Sequence, residues 1–355
     1  MLWSYNKLIS IVPQIYLNFS KHGIRTQIGS QINPTPPNRM EEHVAFGMPK
    51  IRPGIESNIF TEDVSKVTSQ NMQGIKEAIL LAHKQRTELA SDIIAIRKDL
   101  EIYQKKLRWS YILLYGLVIK SIRDTLKDSI ANQRQAITAI EQYISDSSVA
   151  LTVSFESKLQ SAYNALVENF EHLCKSRKIW DLTATYKVDR FATRSYASNE
   201  VYRKEVALIK GDLPDIKSEL KAMVFQNANG ADLYFYPNFI VMWNHRKEFA
   251  IVGIDEIDIE VRVTRFVEDG PVPSDSRTVG KTWSKVNKNG SPDLRFKGNY
   301  QIPIVEYADV TIKTKTGMNE LYQFSSVPTA EAFVKAFIEY QIQVIHLEYV
   351  GTVET

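Results

Sequence analysis

Residues 75–107 read IKEAILLAHKQRTELASDIIAIRKDLEIYQKKL, and the spacing of their apolar positions decides the fold. Ile75, Ile79, Ala82, Leu89, Ile93, Ile96, Leu100, Tyr103 and Leu107 follow a rhythm of threes and fours. This is a heptad seam: it lays one apolar stripe along a helix and demands a partner for that stripe. A second series, Leu126, Ile130, Ile137, Ile140 and Ile144, continues the pattern. No proline stands between Pro53 and Pro214, so nothing in that window forbids long helices.

Working outward, Thr61-Glu62-Asp63 supplies a cap with acids in the first turn. A helix from 62 to 107 would be about 70 Å long. Gly116 and its aromatic neighbours mark the expected bend, giving two long antiparallel helices, with one continuous rod as the alternative. A third helix is expected from Val149 to Lys178, with Leu151, Phe155, Leu159, Ala162, Leu166, Phe170 and Leu173 on one face. Three such stripes can bury one another in a bundle. They can also pair between chains through Ile75, Ile79, Leu89, Ile93, Ile96, Leu100 and Tyr103, making the chain its own partner in a homodimer or larger assembly.

The longest apolar run, Trp109 to Ile119, is about eleven residues against the roughly 20 that a membrane span needs. The run is expected to be buried where bundle members meet. The alternative is contact with a membrane interface, because aromatic residues beside Lys105, Lys106, Arg108 and Lys120 suit that boundary.

The 355 residues, 44% of them apolar and 10% aromatic, are enough for two or three domains with real cores. With 44 basic and 41 acidic residues the net charge is only +3, so any anion binding has to be local. A single cysteine, Cys174, excludes an internal disulfide and a multi-cysteine metal site, in keeping with a reducing cytosol. That thiol reads as packing. The start, Met-Leu-Trp-Ser-Tyr-Asn-Lys, lacks the pattern of a secretory signal, which points to the cytoplasm.

Residues 1–60 suggest short strands, Lys7 to Val12, Ile15 to Phe19 and Ile24 to Ile28, followed by turns rich in proline. Residues 180–226 read as a connector of short polar strands. Beyond Asn227, Pro237-Asn238 and Thr316-Gly317 each separate two apolar runs and mark hairpins, and Pro328 opens a helix with Phe333, Phe337, Tyr340 and Val344 on one face. Antiparallel strands closed by one amphipathic helix resemble a pleckstrin-homology-like barrel, with a plain α+β sandwich as the alternative. The expected class is therefore α+β: a small N-terminal β module (1–60), a long helical bundle or coiled coil (61–179), the connector (180–226), and a C-terminal antiparallel pleckstrin-homology-like barrel capped by a helix (227–355). The stretch 267–299 is too long and polar for an ordinary hairpin and is expected to be a functional loop.

Trp3-Ser4-Tyr5-Asn6-Lys7 and Pro13-Gln14-Ile15-Tyr16-Leu17-Asn18-Phe19-Ser20-Lys21-His22-Gly23 resemble a bacterial N-terminal domain of unknown function with the pattern Pro-Gly-x-x-Leu-Asn-x-Ser-Lys-x-Gly. This chain departs from it at Gln14 and Lys50, where that family has glycine. Trp283 to Phe296 is similar to a segment of uncharacterised bacterial proteins carrying the same C-terminal module. The resemblance implies a bacterial source and supplies no activity.

Arg277, Lys281, Lys285, Lys288, Arg295 and Lys297, with Trp283 and Phe296 interleaved and only Asp293 opposing, form the densest positive run. Cations bind phosphate and rings stack, so nucleic acid or an anionic membrane surface is the candidate ligand; the plain alternative is a solvated loop pinned by its aromatics. The six histidines show no metal-ligand spacing, and no cofactor is expected. Asp255, Glu256, Asp258 and Glu260 could serve a divergent metal-dependent nuclease, but alternation sets Asp258 and Glu260 on one face, opposite Ile257, Ile259 and Val261, as a solvated edge would. The expected function is a non-enzymatic bacterial scaffold or sensor, in a stress or phage-response setting. Anion binding through the basic loop is the rival.

Overall fold

The computed structural model describes residues 7–12, 15–20, 23–25, 44–46, 56–58, 64, 67–113, 118–151, 153, 155, 157–187, 193–197, 199–245 and 248–351. The expected helix cap at Thr61 to Asp63 and the bend at Gly116 lie outside these residues.

Helix α1 spans Gln73–Ile112 and follows a 3-10 turn at Gln70–Met72. Helix α2 spans Lys120–Asp146. The two lie antiparallel, as Arg97 pairing with Glu141 at 2.9 Å and Arg86 donating to the Ile144 carbonyl at 3.0 Å require. The seam divides into two parts with different partners. At the base, Ile75, Ala78, Ile79 and Ala82 are buried in one cluster with Val241, Phe249 and Ile251 of a β-sheet. Farther out, Ile93 is buried and Leu89, Ile96, Leu100 and Tyr103 are half-buried on the side facing α2.

The long helical bundle or coiled coil expected over 61–179 does not form. After α2, strand β6 (Val149–Leu151) pairs in parallel with β10 (Ile216–Ser218) and carries the chain away from the hairpin. The third helix, α3, is shorter than expected, Ser157–Leu173. Its stripe is aromatic, and Tyr163 and Phe170 match the rings of helix α4 (Val327–Gly351) better than the aliphatic seam. Helix α3 therefore packs beside α4 in the main core.

The expected C-terminal barrel is corrected as well. Strands β9 (Leu208–Gly211), β11 (Ala222–Phe225), β12 (Asp232–Phe235), β13 (Phe239–His245) and β14 (Glu248–Gly253) make a five-stranded antiparallel sheet of their own. A second sheet holds β15 (Asp258–Val267), β16 (Arg277–Trp283), β17 (Gln301–Lys313) and β18 (Asn319–Phe324), joined by β7 (Ile179–Lys187) and β8 (Asn199–Glu205) from upstream. Here β15 pairs with β17, β17 with β18, β18 with β7, and β7 with β8. The short strand β4 (Val44–Phe46) pairs with both β8 and β15 and closes the ring. Among the described N-terminal strands, β1 (Lys7–Val12), β2 (Ile15–Ser20) and β3 (Gly23–Arg25) form a separate antiparallel sheet, and β5 (Glu56–Asn58) pairs with β7.

Both marked hairpins are present. Strands β12 and β13 flank Pro237-Asn238, and β17 and β18 flank Gly317, whose φ of +116° a side chain would resist. The stretch 267–299 is not one open loop: β16 crosses it and pairs along β17.

The core sits between the two sheets, around α3 and α4. Phe225 gathers it: its ring lies 5.7 Å from Phe170 of α3, 5.7 Å from Phe333 of α4, 5.0 Å from Phe235 of its own sheet and 5.3 Å from Tyr322 of the other. Aromatic pairs of this kind contribute about 0.5–1.5 kcal/mol each beyond the area they bury.

Candidate interaction surfaces

The basic run lies on β16 and the turns that follow it, and two of its six cations are paired with carboxylates. Arg277 donates through Nε at 2.8 Å and Nη2 at 2.5 Å to Glu306. Arg295 clasps Asp293 with bonds of 2.9 and 2.6 Å, and its guanidinium holds that carboxyl down at about 2. Lys285 donates to the Thr193 carbonyl at 3.2 Å and lies 5.9 Å from the Phe296 ring centre. Trp283 is half-buried opposite Gln301. Lys281, Lys288 and Lys297 are exposed. The structure thus brings the seven residues onto one segment, but Arg277, Lys285 and Arg295 are bonded within the protein.

Inside the closed ring lies a polar centre that the sequence reading did not single out. The Arg203 guanidinium is stacked between Trp180, 3.9 Å from the ring centre, and Phe266, at 4.1 Å. It donates to Gln323 at 2.7 Å and to the carboxylate of Glu268, which also accepts from the Tyr307 hydroxyl at 2.8 Å. Gln323 donates in turn to Asp309 at 2.8 Å, and Thr264 donates to the same carboxylate at 2.6 Å. Burial, and after it the Glu268 charge, push the Tyr307 hydroxyl well above its ordinary range. Leu182, Val201 and Val305 fill the space around this chain of bonds. It is a packed and satisfied interior, and its parts lie far apart in sequence. Only the alternation of Val201 and Arg203 with Tyr202 and Lys204 hinted that Arg203 points inward.

Asp258 is exposed, and Glu260 is half-exposed and paired with Arg262 at 3.1 Å. Among the described residues no group of three histidine, cysteine or acidic side chains could hold a metal ion. Cys174 is half-buried below α3, where desolvation pushes its thiol up to about 11.

The hairpin is fixed at its base and bare at its end. Asp215, buried between β9 and β10, takes His83 Nδ1 at 3.0 Å and Arg86 Nε at 3.2 Å, while its backbone carbonyl accepts from Val149 at 2.9 Å. This clamp ties α1, the end of α2 and β6 to the folded body. From Ala82 outward, α1 runs free of the sheet for about 45 Å. The apolar run at its far end was expected to be buried, and its described apolar residues are exposed instead. Trp109 is 54% exposed, Ile112 59%, Leu113 62% and Val118 82%, because α3, the element that would have covered them, is folded into the core instead.

Among the described residues, no helix is long and apolar enough to cross a membrane. No family model, curated protein or solved structure matches this chain.

Proposed function

We propose that this is a bacterial, non-enzymatic interaction protein of a reducing, cytosolic compartment, in which the folded body holds the α1–α2 hairpin and the tip of the hairpin makes the functional contact. The observation that carries this reading is the exposure of Trp109, Ile112, Leu113 and Val118 at the end of a clamped arm. Together with Tyr111, Ile119 and Ile122 they leave on the order of 600 Å² of side chain uncovered, the upper end of what monomeric proteins tolerate without a purpose. Self-association fits this reading through the tip or the outer faces of the hairpin. The seam itself is engaged within one chain, since Ile75, Ile79 and Ile93 are buried there.

Photo-crosslinking in the cell of origin tests the reading. A crosslinker at Leu113 should form adducts that Ile112→Ser and Val118→Ser remove, and one at Lys281 on the basic run should form few. Adducts that arise only from the basic run would move the contact there.

A further inference from the structure

The tip carries a charge pattern as well as an apolar surface. Lys105, Lys106, Arg108, Lys120 and Arg123 flank it; Asp124 pairs with Arg123 at 2.9 Å and Glu101 lies 3.9 Å from Lys105, and no other aspartate or glutamate occurs between residues 101 and 124. Lys105 is 72% exposed, and the Lys106 ammonium lies 5.3 Å from the Tyr103 ring centre. From the last described residues of the arm, Leu113 and Val118, back toward the body, the order is aliphatic side chains, then the aromatic rings of Trp109 and Tyr111, then the cations. A lipid leaflet presents the complementary order: acyl chains, the interfacial zone where indole and phenol rings settle, and anionic headgroups.

Resting on the reading of the tip as the contact, we infer that its partner is the surface of an anionic bilayer, with Ile112, Leu113, Val118 and Ile119 entering one leaflet and the five cations lying on the headgroups. Nucleic acid would use the cations and rings but offers no apolar phase for four exposed aliphatic side chains. The apolar end is too short to span, so the contact is peripheral and reversible.

Flotation of the full chain with vesicles tests this. Binding is expected to vesicles of phosphatidylcholine with phosphatidylglycerol and not to phosphatidylcholine alone. The variant Ile112→Ser, Leu113→Ser, Val118→Ser should weaken it at least about tenfold. The variant Lys105→Ala, Lys106→Ala, Arg108→Ala should weaken it about a hundredfold, near fivefold for each cation removed. All six positions are exposed, so circular dichroism should show unchanged helicity in both variants. Absence of vesicle binding at low salt overturns the inference. If the serine variant then loses its crosslinked protein neighbour or its affinity for duplex DNA, the tip stands as the contact with a different partner. If the serine variant binds vesicles as well as the parent does, the tip reading falls too.

Discussion

Asp181 offers a sharp test of the fold because its carboxylate is buried with only partial compensation. It lies on β7 opposite Tyr322 of β18, is fully buried, and accepts one hydrogen bond through Oδ2, from the Ala228 amide at 2.8 Å. Its Oδ1 has no partner. Desolvation dominates and pushes the carboxyl up from 3.8 to about 6, with the Ala228 amide and the Lys204 charge offsetting only part. A folded-state value above the unfolded one means that the native state holds its proton more tightly. The corresponding stability is complete below pH about 4 and is lost as pH rises through about 6. The loss amounts to about 3 kcal/mol at ~1.36 kcal/mol per unit. Asp181→Asn keeps an acceptor for Ala228 and removes the charge. Urea unfolding of both proteins from pH 4 to 8 should therefore show similar stability at the acid end and an advantage for the variant that grows to about 3 kcal/mol above pH 7. Every other titrating group cancels in that difference. A gap that stays constant with pH, or a variant that is the weaker protein at pH 8, would refute the burial of an only partly compensated charge there.

Further outcomes follow from the same geometry. Arg203→Ala should cost about 3–5 kcal/mol in unfolding free energy by stranding the buried Glu268 charge, and Glu268→Gln added to Arg203→Met should restore most of it. Cys174, its thiol raised from 9.0 to about 11, should react with iodoacetamide at pH 8 about 100-fold more slowly than an unshifted thiol, as mass spectrometry of timed samples would show. Arg295→Ala should lower the melting temperature by freeing the buried Asp293 carboxylate, Arg277→Ala should lower it less because Arg265 stays 3.8 Å from Glu306, and both should leave fluorescence anisotropy of labelled duplex DNA unchanged at low salt. A fall in DNA affinity without loss of stability would make the basic run a phosphate surface.

The sequence shows its local features clearly and its pairings poorly, for physical reasons. A heptad seam is a short-range periodicity, so α1 and α2 are legible from the series Ile75 to Leu107 and Leu126 to Ile144. Pro237-Asn238 and Thr316-Gly317 are legible because turn geometry selects those residues. What a stripe packs against is set elsewhere in the chain. Leu159, Leu166 and Phe170 look like a third bundle member, and only the aromatic faces of Phe225, Phe333 and Tyr340 decide otherwise. The ring of β-strands is closed by Val44–Phe46, more than 150 residues from β8 in sequence, a pairing no local pattern announces. The same holds for the candidate site. The composition of Trp109 to Ile119 was plain, but its exposure depended on where α3 went. The basic run was plain too, and the carboxylates that neutralise Arg277 and Arg295 became visible only in three dimensions.

The clamp at Asp215 makes the hairpin a lever. His83 and Arg86 grip the arm within its first turns, so an arm of about 45 Å extends from a fulcrum only a few ångströms wide. A rotation of about 10° there sweeps the tip through about 8 Å, more than the width of a strand pair. A pull on an anchored tip would arrive at the same point magnified in the opposite sense, as a small displacement under a large force, applied to one carboxylate and the β6–β10 pair behind it. Position at one end and mechanical load at the other then meet at Asp215 and at the apolar contacts of Ile75, Ile79 and Ala82 beside it.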